Sequence, residues 1–176
     1  MSTPTFEEAV SAAQQGDAGV AHIKETVFAE PLSELKRMKS EWARTHAELQ
    51  GRIARARGRM QQAIDAGLNF DHVARLGKPF LDRLTGDGLA HPGVLNAIGP
   101  QIDRSIASME NFTVSQLHNE RHVWCAWPNI PSRVRDNING AESLVGQLEA
   151  IVADGGQLQQ MIEQVAERKA GSQAVA

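Results

Sequence analysis

Apolar residues along this chain recur at three- and four-residue spacings, and no stretch sustains the two-residue alternation of a half-buried strand. The longest run covers about 32–66. With Leu32 at heptad position a and Leu35 at d, the a series is Leu32, Lys39, His46, Ile53 and Met60. The d series is Leu35, Trp42, Leu49, Ala56 and Ala63. Both polar exceptions fall at a. A period of about 3.5 held for over four heptads predicts a coiled-coil-like, left-handed contact rather than a lone surface helix. Gly51 and Gly58 oppose this, each costing ~1 kcal/mol against Ala in a helix interior. Such a helix measures ~50 Å at about 1.5 Å per residue, so the pattern predicts an elongated helical bundle.

Shorter elements surround it. Thr5 followed three residues later by Glu8 reads as a capping box, and the helix it starts should end at Gly16. A second helix is expected from about Val20 to Ala29. Pro31 then either opens the long helix in its first turn or kinks a continuous one. Gly67 and Asn69 should end the long helix. Two short helices, Phe70–Leu76 and Pro79–Leu84, follow around Gly77, and Gly86 to Gly93 is the strongest loop signal. Pro100 suits a first helical position, with one helix running on to about Trp124 and carrying Ile102, Ile106, Met109, Thr113 and Leu117 on one face. Trp127 to Pro131 breaks it. The next helix, Ser132 to Ala153, is written in Val134, Ile138, Ala141, Val145, Leu148 and Val152. Asp154-Gly155-Gly156 is a stop before a last helix, Gln157 to Lys169. The expected organisation is an all-α fold: an N-terminal arm of short helices (1–30), a bundle core (31–153), a C-terminal helix (157–169) and a loose tail (170–176).

Composition sharpens this picture. Three Trp, five Phe and no Tyr in 176 residues leave the core to aliphatic side chains, which suits close helix packing. The net charge of −3 does not point to nucleic acid, yet charge is segregated. Residues 1–31 hold one Lys against five acids, 32–64 hold eight Lys or Arg against three, and 140–176 hold two against five. The expectation is complementary pairing at helix rims, within the chain or between copies. The single cysteine excludes an intrachain disulfide and favours a reducing compartment. The N-terminus lacks a signal-peptide pattern and no run reaches the ~20 apolar residues of a membrane span, so a cytoplasmic protein, or one packaged into an assembly such as a virion, is expected.

Three constellations carry possible chemistry. His118, His122 and Cys125, at i, i+4 and i+7, would share one helix face and are zinc-type ligands. A structural zinc takes four ligands and no second pair stands out, so a polar stripe at a helix end outweighs a metal site. A Cys125 nucleophile served by either histidine is weaker still. Arg52, Arg55 and Arg59 line one flank of the long helix and could neutralise phosphates. No aromatic residues interleave with them, and pairing with acidic helices explains them better. Trp124 and Trp127 flank a Pro-stiffened corner suited either to a binding hot spot or to sealing the bundle. With the seam residues Leu35, Trp42, Leu49 and Ile53, they are the candidate protein interface.

No phosphate loop, di-iron signature or cofactor motif is present in the sequence. The expected function is therefore that of a non-enzymatic, cofactor-free structural or interaction protein. It would be a self-associating or repeated component or adaptor of a larger assembly, of the phage-virion or secretion-machine kind by analogy of architecture. A nucleic-acid-associated regulator using the arginines is the alternative, and a small metal-binding module the third.

Overall fold

The computed structural model describes residues 5–65, 71–86 and 93–153, together with 160, 163, 164 and 166–168. These residues are all-α, with no strand among them. The helices are α1 (Phe6–Gln14), α2 (Asp17–Thr26), α3 (Ala29–Asp65), α4 (Asp71–Thr85), α5 (Val94–Glu110), α6 (Val114–Asn119), α7 (Arg121–Trp124) and, after a 3-10 turn at Trp127–Asn129, α8 (Ile130–Ala153). Among the described residues no helix is long and apolar enough to cross a membrane. Gly67, Asn69, the Asp154-Gly155-Gly156 stop and the tail lie outside the described residues. Of the expected last helix only 160, 163, 164 and 166–168 are described, and these are helical.

The chain folds as two compact units, one of Met1–Arg44 with Ala97–Ile138 and one of Thr45–Asn96 with Asn139–Ala176. In the first unit the capping box forms as the sequence suggests: the Glu8 amide donates to Thr5 Oγ1 at 3.3 Å, and the Thr5 amide donates to Glu8 Oε2 at 2.8 Å. Helix α1 packs on α2 and α6 and buries Ala9 and Ala12. The α1–α2 crossing is so close that a Cβ on Gly19 would stand 1.8 Å from the Ala12 carbonyl oxygen, so only glycine fits there. Pro31 opens α3 in its first turn, where amides have no intrahelical acceptor and a missing N–H costs nothing.

The buried stripe of α3 departs from the heptad reading. Steps of about 3.6 residues from Pro31 reach 35, 38, 42, 45, 49, 53, 56 and 60. Pro31, Leu35, Met38, Trp42, Leu49, Ile53 and Ala56 are buried, and Thr45 and Met60 half-buried. A straight helix drifts by ~20° per heptad from a 3.5 repeat. Early in α3 the inward face therefore takes Met38 and leaves Lys39 in solvent, and later it takes Ile53.

Proline and glycine punctuate less than the sequence suggests. Pro100 lies inside α5, on its exposed side, rather than at a helix start. Leu95, Ile98, Ile102, Ile106 and Met109 form one buried face through it, and that burial outweighs an interior proline's ~3 kcal/mol. Gly77 and Pro79 likewise sit inside one helix, α4, not between two. Gly77 is buried, and a Cβ there would lie 3.3 Å from Met60 Cε and 3.6 Å from Leu148 Cδ1. The single helix expected up to Trp124 is in fact three, because α5 ends at Glu110 and Thr113 caps α6. Gln116 donates to Thr113 Oγ1 at 3.3 Å and its side chain accepts from the Thr113 amide at 3.2 Å, a second capping box. Thr113 is therefore a boundary residue and not part of a helix face. At the expected 86–93 loop, Gly86 adopts φ +79°, and Gly93 approaches it so closely that a Cβ would lie 2.4 Å from the Gly86 amide.

Candidate functional site

The residues nominated as a protein interface are interior residues of this chain. Leu35 is 0% exposed, Trp42 8%, Leu49 1%, Ile53 4% and Trp124 0%. Leu35, Trp42, Leu49 and Ile53 lie on the stripe of about 3.6-residue spacing that α3 buries within its own chain, and the heptad pattern itself is not seen. Trp127 is half-buried, its ring 5.4 Å from Phe28 and 5.8 Å from Phe112. Phe28 and Phe112 meet edge-on at 5.1 Å, and Phe112 meets Trp124 at 5.5 Å. Such edge-on pairs contribute beyond their buried area. The Trp124 indole donates to the Leu117 carbonyl at 3.4 Å. The tryptophan corner thus seals the first unit. Among the described residues Val123, 41% exposed, is the large apolar side chain left on the surface.

The expected arginine flank exists, and its members divide. Arg52 forms a two-pronged pair with Glu149 of α8, Nε to Oε1 at 2.9 Å and Nη2 to Oε2 at 2.6 Å. This pairing raises the affinity of Arg52 for its proton and holds the Glu149 carboxyl below the usual carboxylate range, burial opposing both more weakly. Arg55 and Arg59 are exposed and form no ion pair at contact distance among the described residues, although Arg55 acts on the Glu149 carboxylate from further off. Together with Ala56, Val152 and Ala153 these four charged residues line a hollow of about 260 Å³. Arg57, on another face, donates to Thr85 Oγ1 at 3.5 Å.

His118, His122 and Cys125 do not share one helix face. The chain leaves the helix at Glu120 (φ −116°, ψ 26°), which separates His118 on α6 from His122 on α7. All three still line a hollow of about 490 Å³ with Thr5, Ala9, Asn119 and Arg121. Among the described residues no three His, Cys, Asp or Glu side chains converge on a point that could hold a metal ion. Burial pushes the Cys125 thiol up, with Arg121 pulling it back less strongly. A raised thiol is the wrong direction for a nucleophile or metal ligand, which must be thiolate.

Arg52–Glu149 joins the basic segment to the acidic C-terminal stretch, but the ion pairs inside the first unit join neither acidic end to it. Lys36 pairs with Glu110 at 2.6 Å, Lys39 with Asp103 at 2.7 Å, and Arg135 with Glu34. Lys24 donates to the Glu110 carbonyl at 2.6 Å, so two lysines hold the last residue of α5 by its carbonyl and its carboxylate. Glu149 and Glu110 are the polar residues that local sequence reading missed. The excess of acids after residue 140 is the signal for Glu149, while Glu110 falls inside the single helix expected up to Trp124. Compared with known proteins, the chain matches no family model, no curated protein and no solved structure.

Proposed function

We propose that the chain is a non-enzymatic structural and interaction protein, a repeated component or adaptor of a larger assembly, which meets its partners through charge. One observation supports this reading: among the described residues every large apolar side chain except Val123 is buried or half-buried, while charge without an ion-pair partner remains outside. Glu7, Asp17, Glu25 and Glu30, like Arg55 and Arg59, are exposed and form no ion pair at contact distance among the described residues. Charged interfaces confer specificity and fast encounter more than raw affinity, which fits a subunit that assembles reversibly. A cytoplasmic or virion setting agrees with this by analogy of architecture. Cross-linking in the cells that make the protein, followed by mass spectrometry, tests it. Covalent species joining this chain to other chains or copies are expected, and recovery of uncrosslinked monomer alone overturns it.

A second reading, a nucleic-acid-associated regulator, draws on Arg55 and Arg59 one helical turn apart on the surface. It expects a low-salt mobility shift that Arg55→Gln with Arg59→Gln abolishes, and no shift with any DNA or RNA removes it.

A further inference from the structure

We infer that the arginine-rimmed hollow of the second unit receives the acidic α1–α2 face of a second copy of this chain, joining copies head to tail. This rests on the interaction reading above. In the hollow, Arg52 is already engaged by Glu149, so Arg55 and Arg59 supply the open cationic rim over a floor of Ala56, Val152 and Ala153. A guanidinium grips a carboxylate by a planar fork, and the aliphatic floor suits the methylene stem of a Glu side chain. A phosphodiester strand suits it less: the Glu149 carboxylate stands at the rim, and no aromatic ring lines the hollow for a base to stack on.

The matching surface lies on the chain itself. Helices α1 and α2 enclose a hollow of about 360 Å³ lined by Glu7, Glu8, Ser11, Gln15 and His22 around Ala12. Glu25 follows His22 by one turn. Lys24, the one Lys or Arg of residues 1–31, is drawn onto the Glu110 carbonyl. A patch and its complement at different places on one molecule let each copy receive one neighbour and be received by another, a heterologous contact.

Sedimentation of the full chain across the micromolar to submillimolar range tests this. The wild-type mass should rise with concentration and fall with added salt. Arg55→Glu/Arg59→Glu and Glu7→Arg/Glu25→Arg should each associate at least about tenfold more weakly, through lost pairs plus like-charge repulsion. An equimolar mixture of the two variants should regain mass, because each restores the charge the other lacks. Circular dichroism checks the fold, and if a reversal misfolds, Arg55→Gln/Arg59→Gln should show a smaller loss in the same direction.

A wild type monomeric throughout, a variant that associates like wild type, or a mixture that stays monomeric overturns the inference. Loss confined to the arginine variant gives the hollow to another acidic partner, and an oligonucleotide shift abolished by that variant gives it to nucleic acid; either overturns the self-docking. Cellular cross-links to other proteins, with a wild type monomeric in solution, leave the interaction reading standing and remove this one.

Discussion

The interior of the first unit holds a cluster of rings, in which Phe28 and Phe112 touch each other and each touches Trp124 and Trp127. The described buried residues of the second are aliphatic: Leu49, Ile53, Ala56, Leu84, Leu95, Ala141, Val145, Leu148 and Val152. The backbone explains the contrast. In the first unit the chain breaks at residues 15–16, 27–28, 111–113, 120 and 125–126, and short helices meeting at breaks leave wide, irregular gaps that large flat side chains fill. The second unit packs longer helical stretches, where Ala56 and Gly77 let backbones approach and a ring would hold them apart. The four clustered rings sit where the helices of the first unit are interrupted, whereas Trp42 and Phe80 lie inside α3 and α4.

The largest expected effects test that contrast directly. Trp124→Ala should destabilise by about 3–5 kcal/mol and Leu148→Ala by about 2–5 kcal/mol in urea unfolding, since each empties a fully buried site. Amide exchange should accelerate most in α6 and α7 for the first variant, and in α8 beyond Val145 for the second. A uniform rise across both units in both variants would erase the distinction. Next come two glycines of opposite sign. Gly19→Ala should cost about 1–3 kcal/mol, because α1 and α2 must part to admit the methyl group. Gly58→Ala, with open space around it in α3, should gain ~0.5–1 kcal/mol. Thermal unfolding of the pair reads the signs, and a stabilising Gly19→Ala would refute the tight crossing.

Thr113→Ala should cost about 1 kcal/mol by removing the α6 cap, with the loss concentrated in α6 amide protection. The smallest effect belongs to the second unit. The Glu149 carboxyl titrates below the ordinary carboxylate value that it has in the unfolded chain. Its stabilisation is therefore present above that value and fades as pH falls through the lower folded one. Glu149→Gln should lose ~0.5–1 kcal/mol at neutral pH, a modest figure because the pair is partly solvated, and match wild type in strong acid. Urea titrations at the two extremes of pH check it, and a difference that persists in acid would assign the loss to packing.

Much of the fold is legible locally. The Thr5–Glu8 box, the all-α class, and the limits of α3 and α8 to within a few residues all follow from caps and apolar spacing. Gly77, Pro79 and Pro100 do not end helices because the apolar faces that run through them outweigh their local cost. Thr113 with Gln116 is the same capping signal as Thr5 with Glu8, but it was absorbed into a helix face because Ile106, Met109 and Leu117 keep the spacing across it. The site was less legible. Arg52 has its partner 97 residues away in Glu149, and no local pattern encodes a contact at that separation. Nor does periodicity tell which surface covers a stripe, so Leu35, Trp42, Leu49 and Ile53 could be recognised as buried without any sign that their own chain buries them.

The placement of the tryptophans has an experimental consequence. Trp42, Trp124 and Trp127 all belong to the first unit, and the chain has no Tyr. Intrinsic fluorescence is therefore blind to the second unit, whereas ellipticity at the helix bands sums over both. The same denaturation watched by the two optical signals becomes a test of cooperativity that needs no label. Superimposed curves mean that the units melt as one, and an emission change that leads or trails the ellipticity means that they melt in turn.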